Sequence, residues 1–308
     1  MGKVSKLELL AEFGFTNDPF KQVGLKSRDH LKIEKVVGLA VKSHSMVAVI
    51  GERGIGKSSA VRSALGKLKK VKLVEPVAND IHKLHIGDIE QALIMDLCSE
   101  KPKRGREIRA RQLRRILGEA STKNDVVLVI EEAHHLHGMT LRAIKRTREM
   151  AWMGKTELFS VILVGQSDPM NKPGVSEVKL RADAVQMNGL SPDEVEDFVS
   201  ETMKSRVAAD AVKRISGLPG GHNFEDLKDT LFRLMENALV SGRRQVLLED
   251  VEALFPAEHE RPSRKKARNR TVENGKPVQQ QTQTGTAAKS SLRDLLDLDD
   301  GMPQAAAG

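Results

Sequence analysis

The chain has 308 residues, one cysteine and a formal net charge of +8, with a pI near 9.5. A single cysteine excludes an intrachain disulfide and fits a reducing cytoplasm, while the charged N-terminus and the short apolar runs exclude a signal peptide and a membrane helix. The positive charge favours a polyanionic partner, and the 3% of aromatic residues, with no tyrosine, favours contact with a phosphate backbone over stacking on single-stranded bases.

Residues 1–29 form a predicted N-terminal segment, in which a short helical pattern precedes the sequence FGFTNDPF. We expect Phe13, Phe15 and Phe20 to anchor this segment to the body of the protein. The alternative is that one of them lines an adenine pocket. Residues 30–45 carry apolar residues at helical spacing, which predicts a helix.

A glycine-rich loop follows the apolar run Val47–Ile50, which predicts a strand, and precedes a predicted helix, Ser59–Lys70. Glycine allows the backbone to approach a phosphate closely, and the helix directs its positive end at the same anion. In the pattern G-x-x-x-x-G-K-S, the lysine reaches the β- and γ-phosphates and the serine binds Mg²⁺. The sequence therefore predicts an ATP-type site with Mg²⁺, formed by Gly51, Glu52, Arg53, Gly54, Ile55, Gly56, Lys57, Ser58 and Ser59.

The next segments alternate between strand-like and helix-like patterns, which predicts an α/β core over residues 30–189. Two of the strands are continuous in apolar residues, as is typical of a parallel sheet buried on both faces. The predicted elements are the strand Val71–Val77, the helix Ile86–Leu97, the strand Asn124–Ile130, the helix Thr140–Trp152, the strand Leu158–Val164 and a short strand within Val178–Met187.

Residues 190–256 contain only helical patterns, and Ser191 opens the first with a capping box. We expect a small all-helical lid there, with helices over 192–204, 208–216, 223–240 and 248–254. The polar, low-complexity composition of residues 257–308 predicts a disordered tail. Within it, residues 291–300 either fold on a partner or are part of a solvated tail.

Four further side chains are candidates for the chemistry, three of them at strand ends, where ligands bind in parallel sheets. We assign Glu131 to the metal and Glu132 to polarising the attacking water, or one of them to capping a helix. Gln166 holds the γ-phosphate or its water, or caps a strand end. Arg181 is an arginine finger for a neighbouring subunit, or an ordinary surface residue in a salt bridge.

The histidines form two groups, His134, His135 and His137 in one and His82 and His85 in the other. A zinc site needs well-spaced ligands with partners elsewhere in the chain. We therefore expect these side chains to be polar groups near the nucleotide pocket or at a subunit face.

Two basic segments stand out, Lys101–Arg115 with eight basic residues and one acid, and the helix containing Arg142–Arg148. A charge run is usually a solvated helix face. Here two neighbouring elements of one sign favour a polyanion, and no base-reading motif is present. The sequence thus predicts sequence-independent binding to double-stranded DNA.

Taken together, GERGIGKS, VVLVIEEAHHL and FSVILVGQSDP, followed by a helical lid, resemble the AAA+ ATPases of DNA transposition. These include the phage Mu B protein, the TnsC/TniB regulators and IstB-like and ExeA-like proteins. The resemblance covers about residues 10–255. It implies a P-loop NTPase with a three-layer α/β core that assembles on DNA as a homo-oligomeric filament or ring and delivers target DNA to a transposase that stimulates ATP hydrolysis.

By this resemblance, Lys57 and Ser58 belong to Walker A, Glu131 and Glu132 to Walker B, and Gln166 to sensor 1, while Arg181 falls near the arginine finger. The basic residues that would face DNA are Lys103, Arg104, Arg106, Arg109, Arg111, Arg114, Arg142, Lys145 and Arg146.

Two departures predict slow hydrolysis: Glu131 replaces the usual aspartate, and the turn Gly217-Leu218-Pro219 is not followed by the usual sensor 2 arginine. The alternatives are a helicase loader, an ATP-bound filament scaffold with little hydrolysis, and a secretion-assembly ATPase, which would need a membrane helix after the lid.

Overall fold

The computed structural model describes residues 5–21, 27–77 and 80–256. The predicted tail, 257–308, and its candidate partner-binding segment, 291–300, lie outside these residues.

A five-stranded parallel sheet forms the centre of the fold, and its strand order is β2-β3-β4-β1-β5. The two longest strands, β3 and β4, lie in the middle of the sheet with β1, and their side chains are almost entirely buried, as their continuous apolar sequences predict. The strands are β1 (Met46–Ile50), β2 (Val71–Val74), β3 (Asp125–Ile130), β4 (Ser160–Gly165) and β5 (Ala182–Gln186).

Seven helices of the described residues precede or accompany the sheet, and four follow it. The first seven are α1 (Lys6–Glu12), α2 (Arg28–Lys42), α3 (Lys57–Gly66), α4 (Ile86–Leu97), α5 (Arg106–Ser121), α6 (Gly138–Arg148) and α7 (Ser176–Lys179). The last four are α8 (Pro192–Met203), α9 (Ala209–Ser216), α10 (Phe224–Val240) and α11 (Leu248–Leu254).

The sheet is covered on both faces, which confirms the predicted three-layer α/β core of a P-loop NTPase. Successive residues of a strand point to opposite faces. Val127 and Val129 of β3 therefore pack with α2 and α3, whereas Val126, Leu128 and Ile130 pack with α4, α5 and α6. Each face buries its own set of apolar side chains.

The four last helices form a separate apolar cluster, as expected for an all-helical lid. The N-terminal segment packs into this cluster rather than onto the sheet: Leu9, Leu10 and Phe13 are buried there. Arg206 reinforces the contact by donating hydrogen bonds to the carbonyl oxygens of Phe13 and Gly14, at 2.5 and 2.9 Å. Phe13 therefore anchors the segment as expected, and Phe15 and Phe20 pack against the same cluster while remaining partly exposed.

Several element boundaries differ from the prediction for local reasons. The strand predicted over Val71–Val77 ends at Val74, two residues before Pro76, which has no N–H to donate. The helix predicted over Thr140–Trp152 begins at Gly138, where His137 caps it, and ends at Arg148. Trp152 instead pairs with Lys155 in an isolated bridge.

Gly118 of α5 is buried against Trp152, the chain's single tryptophan, and a Cβ there would lie 2.2 Å from the indole Cγ. We expect Gly118→Ala to displace the indole, change the tryptophan fluorescence and lower the free energy of unfolding by about 1–3 kcal/mol. Gly66→Ala is the matched control, since a Cβ at exposed Gly66 meets nothing within 4 Å. It should cost nothing and leave the fluorescence unchanged. Equal urea denaturation midpoints for the two variants would contradict this packing.

Candidate functional site

The glycine-rich loop lies between β1 and α3, in the geometry that the sequence predicts. Gly54 and Gly56 have φ angles of +87° and +85°, in the left-handed region that glycine adopts without strain. A Cβ at Gly54 would lie 2.4 Å from the side-chain oxygen of Asn223. Ile55 is buried and fixes the loop to the core. The loop therefore needs glycine both for its bend and for a close contact with the lid.

Lys57 folds back over this loop. Its Nζ donates hydrogen bonds to the carbonyl oxygens of Gly51 and Glu52, at 2.9 and 2.6 Å. Burial lowers the pKa of the Lys57 ammonium, and the carboxylates of Glu132 and Glu131 oppose that shift. The ammonium thus lies at the mouth of a loop whose backbone N–H groups are suited to an anion.

The two glutamates after β3 point to different partners. Glu131 accepts a hydrogen bond from the Ser58 hydroxyl, with 2.8 Å between Oγ and Oε2. Glu132 has a φ of +50°, and its side chain is 56% exposed, with Oε2 3.5 Å from His134 Nδ1. The backbone at Glu132 is therefore in the left-handed region. Such a conformation costs a non-glycine residue about 1–3 kcal/mol.

Gln166 directly follows β4, and its backbone contacts the histidine that lies beside Glu132. Its backbone N–H donates to His134 Nδ1 at 3.3 Å. Burial lowers the pKa of the His134 imidazole, and the nearby His135 adds to that effect. A neutral imidazole can accept the hydrogen bond from Gln166.

One cavity, which we call the phosphate cavity, collects the predicted groups in a volume of about 300 Å³. It is lined by Arg53, Gly54, Gly56, Lys57, Ser58, Ser59, Glu131, Glu132, Val164, Gly165, Gln166 and Glu225. The serine–carboxylate pair offers hard oxygen donors, which suit Mg²⁺. The candidate nucleotide site is thus assembled from the ends of three neighbouring strands.

The lid closes one side of the phosphate cavity through contacts that sequence reasoning missed. Asn223 donates from Nδ2 to the Arg53 carbonyl at 2.6 Å and accepts from the Glu225 N–H at 3.0 Å, which caps α10. His222 Nε2 lies 3.3 Å from Glu52 Oε2. The lid side chain in this cavity is Glu225, an acid, where the resemblance implies an arginine. The capping pattern of Asn223 was the available signal for the first contact.

A second cavity, the aromatic cavity, adjoins the first and has a volume of about 210 Å³. It shares Gly56, Ser59 and Glu225 with the phosphate cavity and adds Phe20, His30, Phe198, Phe224 and Lys228. His30 contacts Phe224 edge-on, and burial lowers the pKa of its imidazole. Among the five residues that the aromatic cavity adds, only Phe20 was considered from the sequence, as one of three phenylalanines that could line an adenine pocket. The others come from the lid or from a helix before the loop, so no local motif marked them.

Arg181 lies elsewhere. It is exposed between α7 and β5 and does not line the phosphate cavity. Its position is compatible with a contact in trans, and its role as an arginine finger stays a prediction.

The basic residues divide into two groups. Three arginines, Arg106, Arg142 and Arg146, line a groove between α5 and α6 together with Met139 and other residues, and we call it the arginine groove. Lys103 and Arg104 are exposed just before it.

The other predicted basic side chains have partners within the chain, although Arg111 is 79% exposed. Arg109 pairs with Glu90 at 2.9 Å and is 15% exposed. Lys145, also 15% exposed, lies between Glu149 and Glu177. Arg111 pairs with Glu107, and Arg114 donates to the Ala151 carbonyl. The acids that pair with Arg109 and Lys145 lie outside the helices of those two residues, so the basic run in the sequence overstates the unpaired positive charge.

None of the helices among the described residues combines the length and the apolar character needed to cross a bilayer.

Fold and site together define a class: this chain has the AAA+ P-loop NTPase fold. Residues 41–171 match the family model described as AAA domain. No curated protein matches the chain in sequence.

Two solved structures show the same fold. Cdc6p from Pyrobaculum aerophilum is 17% identical, with a TM-score of 0.56 over 79% of this chain and 69% of its own. The Drosophila ORC, solved bound to DNA, is 13% identical, with a TM-score of 0.55 over 81% of this chain and 65% of its own. The chain therefore spans about two thirds of each.

The contribution of the hydrogen bond between Asn223 and the Arg53 carbonyl can be tested by substitution. Asn223→Ala removes both the cap of α10 and the bond to Arg53, and should lower the free energy of unfolding by about 2 kcal/mol. Asn223→Ser keeps a capping oxygen but cannot reach Arg53, so it should cost about 1 kcal/mol. Urea-induced unfolding measures both. A serine variant as stable as the wild type would mean that the bond to Arg53 contributes nothing.

Proposed function

We propose that this protein is an ATP-dependent, sequence-independent DNA-binding ATPase that assembles on double-stranded DNA and selects or activates target DNA for a transposase. The observation that supports ATP chemistry most strongly is the convergence of Lys57, Ser58, Glu131, Glu132 and Gln166 on one cavity. A glycine-rich loop that fits the pattern by chance would not be expected to share a cavity with two carboxylates and an amide that follow other strands.

Substrate binding uses both cavities. The aromatic cavity suits an adenine base, because Phe198 and Phe224 offer apolar faces and Lys228 a hydrogen-bond donor. The triphosphate then extends into the phosphate cavity, where Lys57 exchanges its loop carbonyl partners for phosphate oxygens. Ser58 and Glu131 would hold Mg²⁺, which, when bound, neutralises charge on the phosphates.

Hydrolysis needs a base for the attacking water, and the position of Glu132 in the lining of the phosphate cavity supports that role. The water oxygen bonds to the γ-phosphorus, its proton passes to the Glu132 carboxylate, and the bond from the γ-phosphorus to the ADP oxygen breaks. Gln166 orients the water or the γ-phosphate. In this structure Glu132 lines the phosphate cavity while its Oε2 lies 3.5 Å from His134 Nδ1, so the imidazole competes for the carboxylate. The slow, partner-stimulated turnover that we propose rests on this contact and on the two departures from the family's pattern.

Binding to DNA rests on the arginine groove and on the net charge of +8. Guanidinium groups on two neighbouring helices suit phosphates of one backbone. The DNA-bound state of the Drosophila ORC, which shares the fold, supports the same kind of partner. The exposed Lys103 and Arg104 extend the groove, while Arg109 and Lys145 contribute less because acids already neutralise them.

We propose that the protein assembles as a homo-oligomer, either a filament or a ring. In such an assembly Arg181 acts as an arginine finger for the neighbouring subunit. An exposed arginine outside its own cavity reaches a phosphate only in a neighbouring subunit. The transposase as partner, and the cytoplasm as the place of action, rest on the sequence.

An ATP-bound scaffold is the second candidate, and the position of Glu132 and the acid Glu225 in the phosphate cavity favour it. Both features disfavour turnover without preventing binding. A helicase loader is the third candidate, and recovery of a replicative helicase in a pull-down would favour it over the transposase.

Glu132→Gln separates enzyme from scaffold. If Glu132 is the base, the variant should retain binding of a fluorescent ATP analogue but release phosphate about 100-fold or more slowly than the wild type, both measured with DNA present. Lys57→Ala is the control that loses nucleotide binding itself. Equal phosphate release by wild type and Glu132→Gln would indicate a scaffold.

Replacing groove arginines should weaken DNA binding without changing sequence preference. For Arg142→Ala and for Arg146→Ala, we expect lower affinity in fluorescence anisotropy and a decrease of about 1 in the slope of log K against log salt. Arg233→Ala on α10 changes the net charge equally, is exposed, and lies outside the groove, so its affinity should be nearly that of the wild type. Absence of an ATP-dependent DNA complex in the wild type would refute the proposal.

A further inference from the structure

A cluster of imidazoles lies directly beside the candidate base. Among residues 5–21, 27–77 and 80–256, a single group of three side chains has ligand atoms all within 4.8 Å of one another, namely Glu132, His134 and His135. The rings of His134 and His135 are 3.9 Å apart, between centroids. None of these imidazoles has a step in the proposed hydrolysis.

The fold adds a fourth side chain from another part of the chain. His82, in the short 3-10 helix Ile81–Lys83, places its ring centroid 4.4 Å from that of His135. No sequence pattern joins the two histidine groups, because about fifty positions separate them. Here they meet, and this supplies the distant partner that a metal site requires.

The backbone under the cluster is fixed. Ala133 and Leu136 are fully buried on either side of the two histidines, and a 3-10 helix over Ala133–His135 follows the left-handed Glu132. The ligand side chains therefore project from an anchored turn, and Glu132 and His82 remain accessible from solvent. Such a site needs little backbone rearrangement to close on an ion.

The chemistry of these donors selects the ion. Imidazole nitrogens with one carboxylate are ligands for Zn²⁺ and similar divalent transition metals, whereas Mg²⁺ prefers oxygen. Bonds of about 2.0–2.2 Å to a tetrahedral ion would bring the ligand atoms to about 3.3 Å from one another. Side-chain rotations of Glu132 and the histidines are sufficient for that closure.

We propose that Glu132, His134 and His135, with His82 beside them, form a site for a divalent transition metal such as Zn²⁺, and that its occupation inhibits ATP hydrolysis. The inhibition rests on the proposed function: a Glu132 carboxylate bound to a metal no longer accepts a proton from water. The binding itself does not depend on that function.

Cobalt(II) is a suitable probe, because its visible absorption reports ligand number and geometry. The full chain is titrated without nucleotide and with Mg²⁺ in excess, so that Ser58 and Glu131 do not compete. We expect one Co²⁺ per chain with the intense bands of a low-coordinate site, displaced by Zn²⁺. His135→Ala should weaken binding at least about tenfold.

His44→Asn is the matched control for this titration. It removes an imidazole outside the cluster, between α2 and β1, at a residue with a φ of +49°, a left-handed conformation that asparagine adopts readily. It should bind Co²⁺ like the wild type. If the wild type shows no such bands, or if His135→Ala binds as tightly as the wild type, the site does not exist.

Phosphate release then tests the inhibition. Zn²⁺ should lower the rate of the wild type and of His44→Asn, and affect His135→Ala much less. Undiminished hydrolysis in a wild type that binds Co²⁺ would overturn the inhibitory role and leave the site standing. A chain that binds Co²⁺ but hydrolyses no ATP even without Zn²⁺ would refute the proposed enzyme and, with it, the inhibition, but not the metal site.

Discussion

Parallel pairing of β1, β3 and β4 is the constraint on which the site depends. In the register of the sheet, Ile50 lies opposite Gly165, and Ile130 lies opposite Leu163. Because the three strands are parallel and end within two residues of one another, the loop after β1, the carboxylates after β3 and Gln166 after β4 begin at the same edge. The hydrogen bond from Ser58 to Glu131 is the direct result, since it joins residues that are 73 positions apart.

The lid also contacts that edge of the sheet. Three neighbouring lid residues, His222, Asn223 and Glu225, contact the first half of the loop or enter the phosphate cavity. The same helices bury the N-terminal segment through Leu9, Leu10 and Phe13. Direct contacts therefore connect the loop to the lid, and the lid to the chain's N-terminal helix.

The positive charge counted in the sequence differs from the positive charge that stays unpaired in the folded protein. Along Lys101–Arg115 the sequence contains a single acid, yet Arg109 and Arg115 find Glu90 and Glu100. A buried or shared ion pair leaves little field outside. Arg106, Arg142 and Arg146 line the arginine groove, whereas Arg109 and Lys145 are already paired with acids, so the predicted DNA surface includes fewer residues than the basic run suggested.

The sequence by itself determined the sheet, the lid and the phosphate loop, because alternating patterns, caps and glycine spacing act over a few residues. The helix Ile86–Leu97 and the Glu131-Glu132 pair after a buried strand needed no distant information. Only the tertiary structure decided which way Glu132 turns, that Asn223 and Glu225 reach the loop, and that His82 meets His135. These contacts join parts of the chain whose separation leaves no local pattern, and they depend on packing that each segment achieves only against the others.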